Sequence, residues 1–450
     1  MKLFVKDKSF YKTFFVLATS IALQNLIVYS VNLADNLMLG TYSELSLSAA
    51  ALANQIQFFL QMLVIGIGSG VMVISSQYWG KKDFEPIKKI LGIGVWLSIV
   101  IALAMFFLVF FFSREVLLLL TNEEAIIEEC QIYLSIICYS YIFFAITNIL
   151  IAFLRSIEIV KVGFIVSGFT FLINVSLNYL FIYGNLGAPE LGIKGAAIAT
   201  LVARIFEFIC IFTFTLLFNK RVKVKLKSVF GFDKSYVSYF IRTSLPMATG
   251  DAMWGVAMTV QTAILGHLGA QAIAANSIAL VIFQVITVLC FGSANASAVI
   301  IGKTIGQDKY ELAINYTKTL QILYLIIGLS AGILLFLFKD LILSLYTITP
   351  ETKELASQFT TVLAFLMVFT TYDTAVIIGI LRGGGSSKFA LYLDILSMWL
   401  ISIPVSLLTA FVFHAPPLIV FICLRLNQFA NCIVGYLKIN KGNWIKKLTI

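Results

Sequence analysis

Twelve long apolar runs follow one another along this chain. Each is long enough to cross a bilayer, which takes about 20 mostly apolar residues in a helix. Their approximate limits are 14–39, 48–78, 90–113, 130–153, 161–184, 192–218, 236–266, 275–302, 316–338, 357–381, 388–413 and 416–437. Backbone polar groups in lipid must be satisfied within the segment, and the runs lack the alternation of barrel strands, so each is predicted to be a helix. Composition agrees with this: 60% of the 450 residues are hydrophobic and 12% are charged, whereas a soluble domain carries about 25% charged residues. A mean hydropathy of +0.98 over this length cannot be one buried core, so lipid tails must be the solvent for most of the surface. The expected class is an all-α integral membrane protein of twelve transmembrane helices.

Basic residues test the count independently. With a cytoplasmic N-terminus, all but six of the 32 Lys and Arg fall at cytoplasmic segments or helix ends. Arg114, Lys194, Lys339 and Lys353 fall outside, and Arg204 and Arg425 lie within helices. A wrong helix count would scramble that alternation. Both termini are therefore expected in the cytoplasm, and the net charge of +10 needs no nucleic acid partner. The basic start MKLFVKDKSFYKT precedes an apolar run longer than the roughly 7–15 residues of a signal-peptide core, so it is read as leading into the first membrane helix. The six cysteines are scattered with no CxxC, and His267 and His414 sit far apart at loop ends, so neither a disulfide framework nor a metal site is indicated.

The chain also repeats itself. At a shift of 226 residues Gly40 meets Gly266, Gly80 meets Gly306 and Glu85 meets Glu311; at 227, Arg155 meets Arg382 and Lys161 meets Lys388. The expected organisation is a six-helix lobe over 1–218, a basic cytoplasmic linker over 219–235 and a second six-helix lobe over 236–450. Six is an even number, so both lobes enter the membrane in the same direction and are related by an axis along its normal. By analogy with such transporters, substrate would lie between the lobes and cross by alternating access as they rock.

Residues around these repeat points resemble the multidrug and toxic compound extrusion (MATE) family. SVNLADNLMLG (30–40) resembles the end of its first helix, FLINVSLNYLFIYGNLGAPELGIKGAAIAT (171–200) its fifth and sixth, GDAMWG (250–255) a seventh-helix motif of bacterial members, and GILRGGGSSKF (379–389) its tenth-to-eleventh junction. The chain departs from the pattern at Ser20, where members often have Pro (its repeat mate Pro246 keeps one), and at Ser386, where Asp is common. It departs again at Asn427, Gln428 and Asn431, which stand where close relatives look like Asp, Glu and Lys. The resemblance implies a multi-pass protein of a bacterial cytoplasmic membrane, able to work as a monomer in contact with lipid.

Ionisable residues inside a bilayer are costly, by about 2.5–3.5 kcal/mol on insertion scales, and are functional candidates by default. Asp35, Arg204, Glu207, Asp251, Asp373, Asp394 and Arg425 are such residues. Asp251 and Asp373 fall well inside the hydrocarbon. A carboxyl group out of water is hard to ionise, so each could alternate between protonated, ion-bound and substrate-bound forms, with Na⁺ one candidate ion. Trp254 shares the helix face of Asp251 and could stack a flat cation. The resemblance implies a proton or ion site at Asp35 with Asn174, Asn178 and Thr200 as neighbours. Gln24 and Asn25 are weaker substrate-binding candidates, Asn25 being the repeat mate of Asp251 at 226. Arg204 and Glu207 are expected to pair with each other. Arg155 and Arg382 are expected at helix ends, binding carbonyls or lipid phosphate, and the RGGG glycines to allow a tight turn.

Three functions compete. The first is a secondary active antiporter exporting amphipathic cations in exchange for H⁺ or Na⁺, with no cofactor. The second is a lipid-linked precursor flippase of the same wider superfamily, which would favour a cationic cavity. The third is an intramembrane enzyme, for which HExxH, a GxGD-type pair and a Ser/His dyad are all missing from the sequence. No ATP-binding motif is present either, so pumping would draw on an ion gradient or another protein.

Overall fold

The computed structural model describes residues 4–344 and 349–449. Among them there are no strands, and the helices run in the expected order. These are α1 Lys8–Tyr42, α2 Glu44–Lys81, α3 Phe84–Leu118, α4 in two pieces (Glu124–Ile137 and Ser140–Ser156), α5 Lys161–Tyr183 and α6 Ile193–Phe218. The linker carries one helical turn, Leu226–Val229. Then follow α7 Lys234–Gly266, α8 Ala270–Gly306, α9 Tyr310–Leu343, α10 Pro350–Arg382, α11 Ser387–Val412 and α12 Pro417–Asn440.

Ten of these helices are long and apolar enough to span a membrane, and α4 makes an eleventh when its two pieces, bent by 54°, count as one span. The twelfth, α7, has the length but carries Thr243, Ser244, Pro246, Asp251 and Gln261 within it, too much polarity for a hydropathy criterion alone. Many helices run several turns beyond the apolar limits in the sequence; the 35 residues of α3 amount to roughly 52 Å at 1.5 Å per residue.

The internal repeat reappears in the backbone. Left-handed φ angles fall on three repeat-related pairs: Lys82 and Asp308 (60° and 58°), Glu158 and Gly385 (63° and 87°), and Gly187 and His414 (84° and 46°). The same turns were therefore built twice. Glu158 holds without glycine a conformation its mate adopts with one.

The chain divides into two compact units. One comprises 1–22, 76–82 and 249–450, and the other 23–75 and 83–248. Helix α1 passes from the first unit to the second after Ala22, and α7 makes the opposite change after Ala248, its repeat position. Small residues explain where these stretches pack. In the second unit a side chain on Gly66 of α2 would strike Ala248 of α7; in the first, one on Gly292 of α8 would strike Ala18 and Ala22 of α1. Backbones approach this closely only where one helix offers glycine.

Within the first unit the segment after α12 forms a strap. Trp444 is 1% exposed and fills the space that a side chain on Gly384 would need. Ser386 donates to the Trp444 carbonyl at 2.7 Å, and the Lys446 N–H donates to the Gly384 carbonyl at 2.7 Å. Gln77 at the end of α2 donates to the Lys446 carbonyl and accepts from the Leu448 N–H. The RGGG glycines thus do more than turn the chain at Gly385: they seat the strap.

Candidate functional site

Each unit holds one buried polar cluster. In the second unit, Asp35 of α1 accepts a 2.5 Å bond from Asn178 of α5. Asn178 also donates to Asn174 one turn earlier, and Asn174 donates to Thr200 of α6, both at 3.3 Å. Asn174 and Asn178 share a helix face because they are four residues apart. The four residues singled out in sequence therefore form one chain of hydrogen bonds, and Arg204 is the charged neighbour of Asp35. Arg204 pairs with Glu207 at 2.9 Å, as their spacing predicts, and stacks over Phe144. Ser167, Thr170, Asn174, Thr200, Arg204 and Glu207 line the polar side of a recess against Ile27, Val28 and Val31.

Gln24 belongs to the same unit and is 5% exposed. Its amide oxygen accepts from Arg155 at 2.7 Å, and its nitrogen donates to Ser167 at 3.4 Å. The Asn25 side chain makes no hydrogen bond to another described residue. Although Asn25 is the repeat mate of Asp251 at 226, it is its neighbour Gln24 that bonds Arg155 as Asp251 bonds Arg382.

The first unit contains the more charged cluster. Arg382, at the end of α10, is 4% exposed and lies 2.8 Å from Asp251 of α7. Neither Arg155 nor Arg382 binds a helix-end carbonyl or lies open to lipid phosphate, as the sequence had led us to expect; both turn inward to α1 and α7. The last turns of α10, Ala375–Arg382, are widened to π-helical spacing, a feature frequent at functional sites. Asp394 of α11 is within electrostatic reach of both Arg382 and Asp251 and accepts from Asn431 of α12 at 3.4 Å. Asp373 of α10 is the neighbour of Asp394 and Asn431. One carboxylate oxygen of Asp251 and one of Asp373 are buried without a hydrogen-bond partner. Such orphaned oxygens leave acceptor capacity for a proton or a cation.

The neutral residues of α12 complete this interior. Gln428 accepts from Thr370 at 3.0 Å, and Asn427 bonds Ser402. Trp254 is partly buried and packs against the apolar core of this unit. Sequence reasoning had placed Arg382 at a helix end and had given Asp394 no partner. The signal that could have found them is energetic: an arginine inside the membrane is best matched by a carboxylate, and Asp251, Asp373 and Asp394 were the unpaired acids in that half.

The MatE family model matches residues 20–180 and 246–408. The chain is 29% identical to a probable multidrug resistance protein NorM of Photorhabdus laumondii, covering 93% of each. It is 26% identical to the uncharacterized transporter YisQ of Bacillus subtilis, covering 92% of this chain and 90% of that one. A Vibrio cholerae MATE transporter superposes with a TM-score of 0.88 over 98% of both chains at 17% identity. A MOP superfamily transporter from Pyrococcus furiosus superposes with a TM-score of 0.87 over 96% of this chain and 95% of that one at 18% identity.

Proposed function

Because the chain belongs to the MATE family of transporters, we propose that it is a secondary active antiporter, exporting amphipathic cationic small molecules in exchange for H⁺ or Na⁺. The observation that carries this reading is the pair of orphaned carboxylate oxygens on Asp251 and Asp373, beside one another's neighbours in a membrane-buried cluster. The cluster holds three carboxyl groups, Asp251, Asp373 and Asp394, against the single guanidinium of Arg382. That excess of acid suits a proton, a sodium ion or a cationic substrate, each excluding the others. Binding of one cation would loosen the hold of Arg382 on Asp251, and its loss would restore the ion pair. Asp35, held by Asn178 and next to Arg204, would serve as a second coupling site. Alternating access between the lobes would then turn exclusive occupancy into exchange, the ion being the energy source. Both termini would face the cytoplasm of a bacterial cell, and one chain would suffice.

Efflux of ethidium from cells expressing the chain, with the proton and sodium gradients collapsed separately, tests this. Export should stop with one ionophore and survive the other. Export that survives both would remove the antiport reading.

A further inference from the structure

The chain that leaves α6 carries cations and apolar side chains on one surface. Over NKRVKVKLK (219–227) burial alternates: Val222 and Val224 are 1% and 4% exposed, while Lys220, Lys223, Lys225 and Lys227 stand in the open. Lys225 has extended backbone, and alternate residues of an extended chain lie about 7 Å apart on one face. Asp233, the linker's own acid, goes to Lys89 of α3 at 2.9 Å. None of the four ammonium groups has an ion-pair partner among the described residues.

This surface is fixed in place. The Asn219 side chain accepts from the N–H groups of Arg221 and Val222 at 3.1 and 3.4 Å and donates to the Val222 carbonyl at 3.0 Å. Arg221 donates to the Ile157 carbonyl at 2.6 Å. Ile157 is the mate at 227 of Gly384, whose carbonyl receives the strap, so each half seats the chain that follows its last helix on the same turn. Farther along, Trp96 of α3 donates to the Phe230 carbonyl at 2.8 Å, and a side chain on Gly92 of α3 would strike the Gly231 carbonyl.

Apolar side chains are interleaved with the lysines. Phe218, Leu226 and Phe232 are 63%, 56% and 53% exposed, Leu226 between two of the lysines. Phe218 ends α6, a membrane span, so the surface lies at the bilayer boundary. Like charges held side by side repel one another and favour an anion between them. A free phosphate or a nucleic acid would satisfy the ammonium groups and leave Leu226 and Phe232 in water; a phospholipid supplies both a phosphate and hydrocarbon. We propose that this linker is a docking face for anionic phospholipid. Lys220, Lys223, Lys225 and Lys227 meet the headgroup phosphates, and Phe218, Leu226 and Phe232 enter the acyl boundary. The face stands independently of antiport, since lipid binding needs no gradient.

The test counts bound lipid. The purified full chain in detergent is given an equimolar mixture of phosphatidylglycerol and phosphatidylcholine, and native mass spectrometry reads which is retained. Wild type should favour phosphatidylglycerol. A lysine near an anionic surface contributes a factor of about five, so Lys220→Gln, Lys223→Gln, Lys225→Gln and Lys227→Gln together should cut that preference at least about tenfold. Arginine at the same four positions should keep it. So should a charge-matched control in which the exposed Lys8, Lys12, Lys309 and Lys441 are changed to Gln instead. Leu226→Ser with Phe232→Ser should weaken retention although every charge remains, and excess inorganic phosphate should not displace the lipid. No preference in wild type, or equal losses in the linker variant and the control, would overturn the proposal. Full displacement by phosphate, or full retention in the double Ser variant, would overturn it too, leaving a site for free anions only.

Discussion

Arg382 and Asp251 form a 2.8 Å ion pair at the place where Arg155 and Gln24, each 227 residues earlier, form a bond of 2.7 Å between charge and amide. One repeated contact thus carries a carboxylate in the second half and an amide in the first. Removing one member of a buried pair strands the other. Arg382→Gln should lower stability by about 3–5 kcal/mol, and adding Asp251→Asn should recover a large part of it. Thermal unfolding of the two single variants and the double variant measures this; additive losses would show the pair to be uncoupled.

The same relationship predicts a gain in the first half. Gln24→Glu places an acid against Arg155, whose Nε is otherwise buried without a partner. A charge-assisted bond is roughly twice as strong as a neutral one, so this variant should unfold at a higher temperature than wild type. Asp251→Asn, its mirror change, should unfold at a lower one.

Trp444 is buried in the space left by Gly384. Trp444→Ala should cost about 3–5 kcal/mol and free the strap for proteolysis. Gly384→Leu should give the same exposed segment from the other side of the contact. Limited digestion followed by mass measurement reads the cut within 441–449.

At the strap's outer edge Lys447 lies 2.6 Å from Asp308. The bonds from Lys447 and Tyr310 hold the Asp308 carboxyl below its ordinary 3.8, while bonding to Asp308 raises the Lys447 ammonium above 10.5. The acid's contribution is present above pH 3.8 and lost as pH falls through its lowered value; the lysine's is present below 10.5 and lost as pH rises through its raised value. Strap protection from proteolysis should therefore be flat between those limits and fall on either side. In Asp308→Asn the acid-side change should vanish.

The twelve helices were legible because hydropathy and the alternation of basic residues are local signals read along the chain. Helix α7 was read as one of the twelve apolar runs even though its polar residues make it the least apolar of them. The bend of α4 at Cys138 and Tyr139 was not legible, since no Pro or Gly marks it. Asp35, Asn174, Asn178 and Thr200 could be grouped from the family likeness, and the structure joins them by hydrogen bonds. Arg382 was misread because its partner lies on another helix, where sequence spacing carries no information about contact. Trp444 was invisible for a similar reason: it sits in a polar segment, and only the cavity made by Gly384 explains its burial.

If buried acids couple an ion gradient to export, the coupling is visible in a reconstituted membrane. The most direct measurement is uphill movement of ethidium in proteoliposomes containing the purified chain, with an imposed proton or sodium gradient and simultaneous readout of that ion, for wild type and for Asp35→Asn, Asp251→Asn and Asp373→Asn. One gradient should drive ethidium uphill with counter-flow of the ion, and Asp251→Asn and Asp373→Asn should abolish both fluxes while remaining folded. Ethidium accumulation that ignores both gradients, or coupled flux unchanged in all three variants, would contradict it.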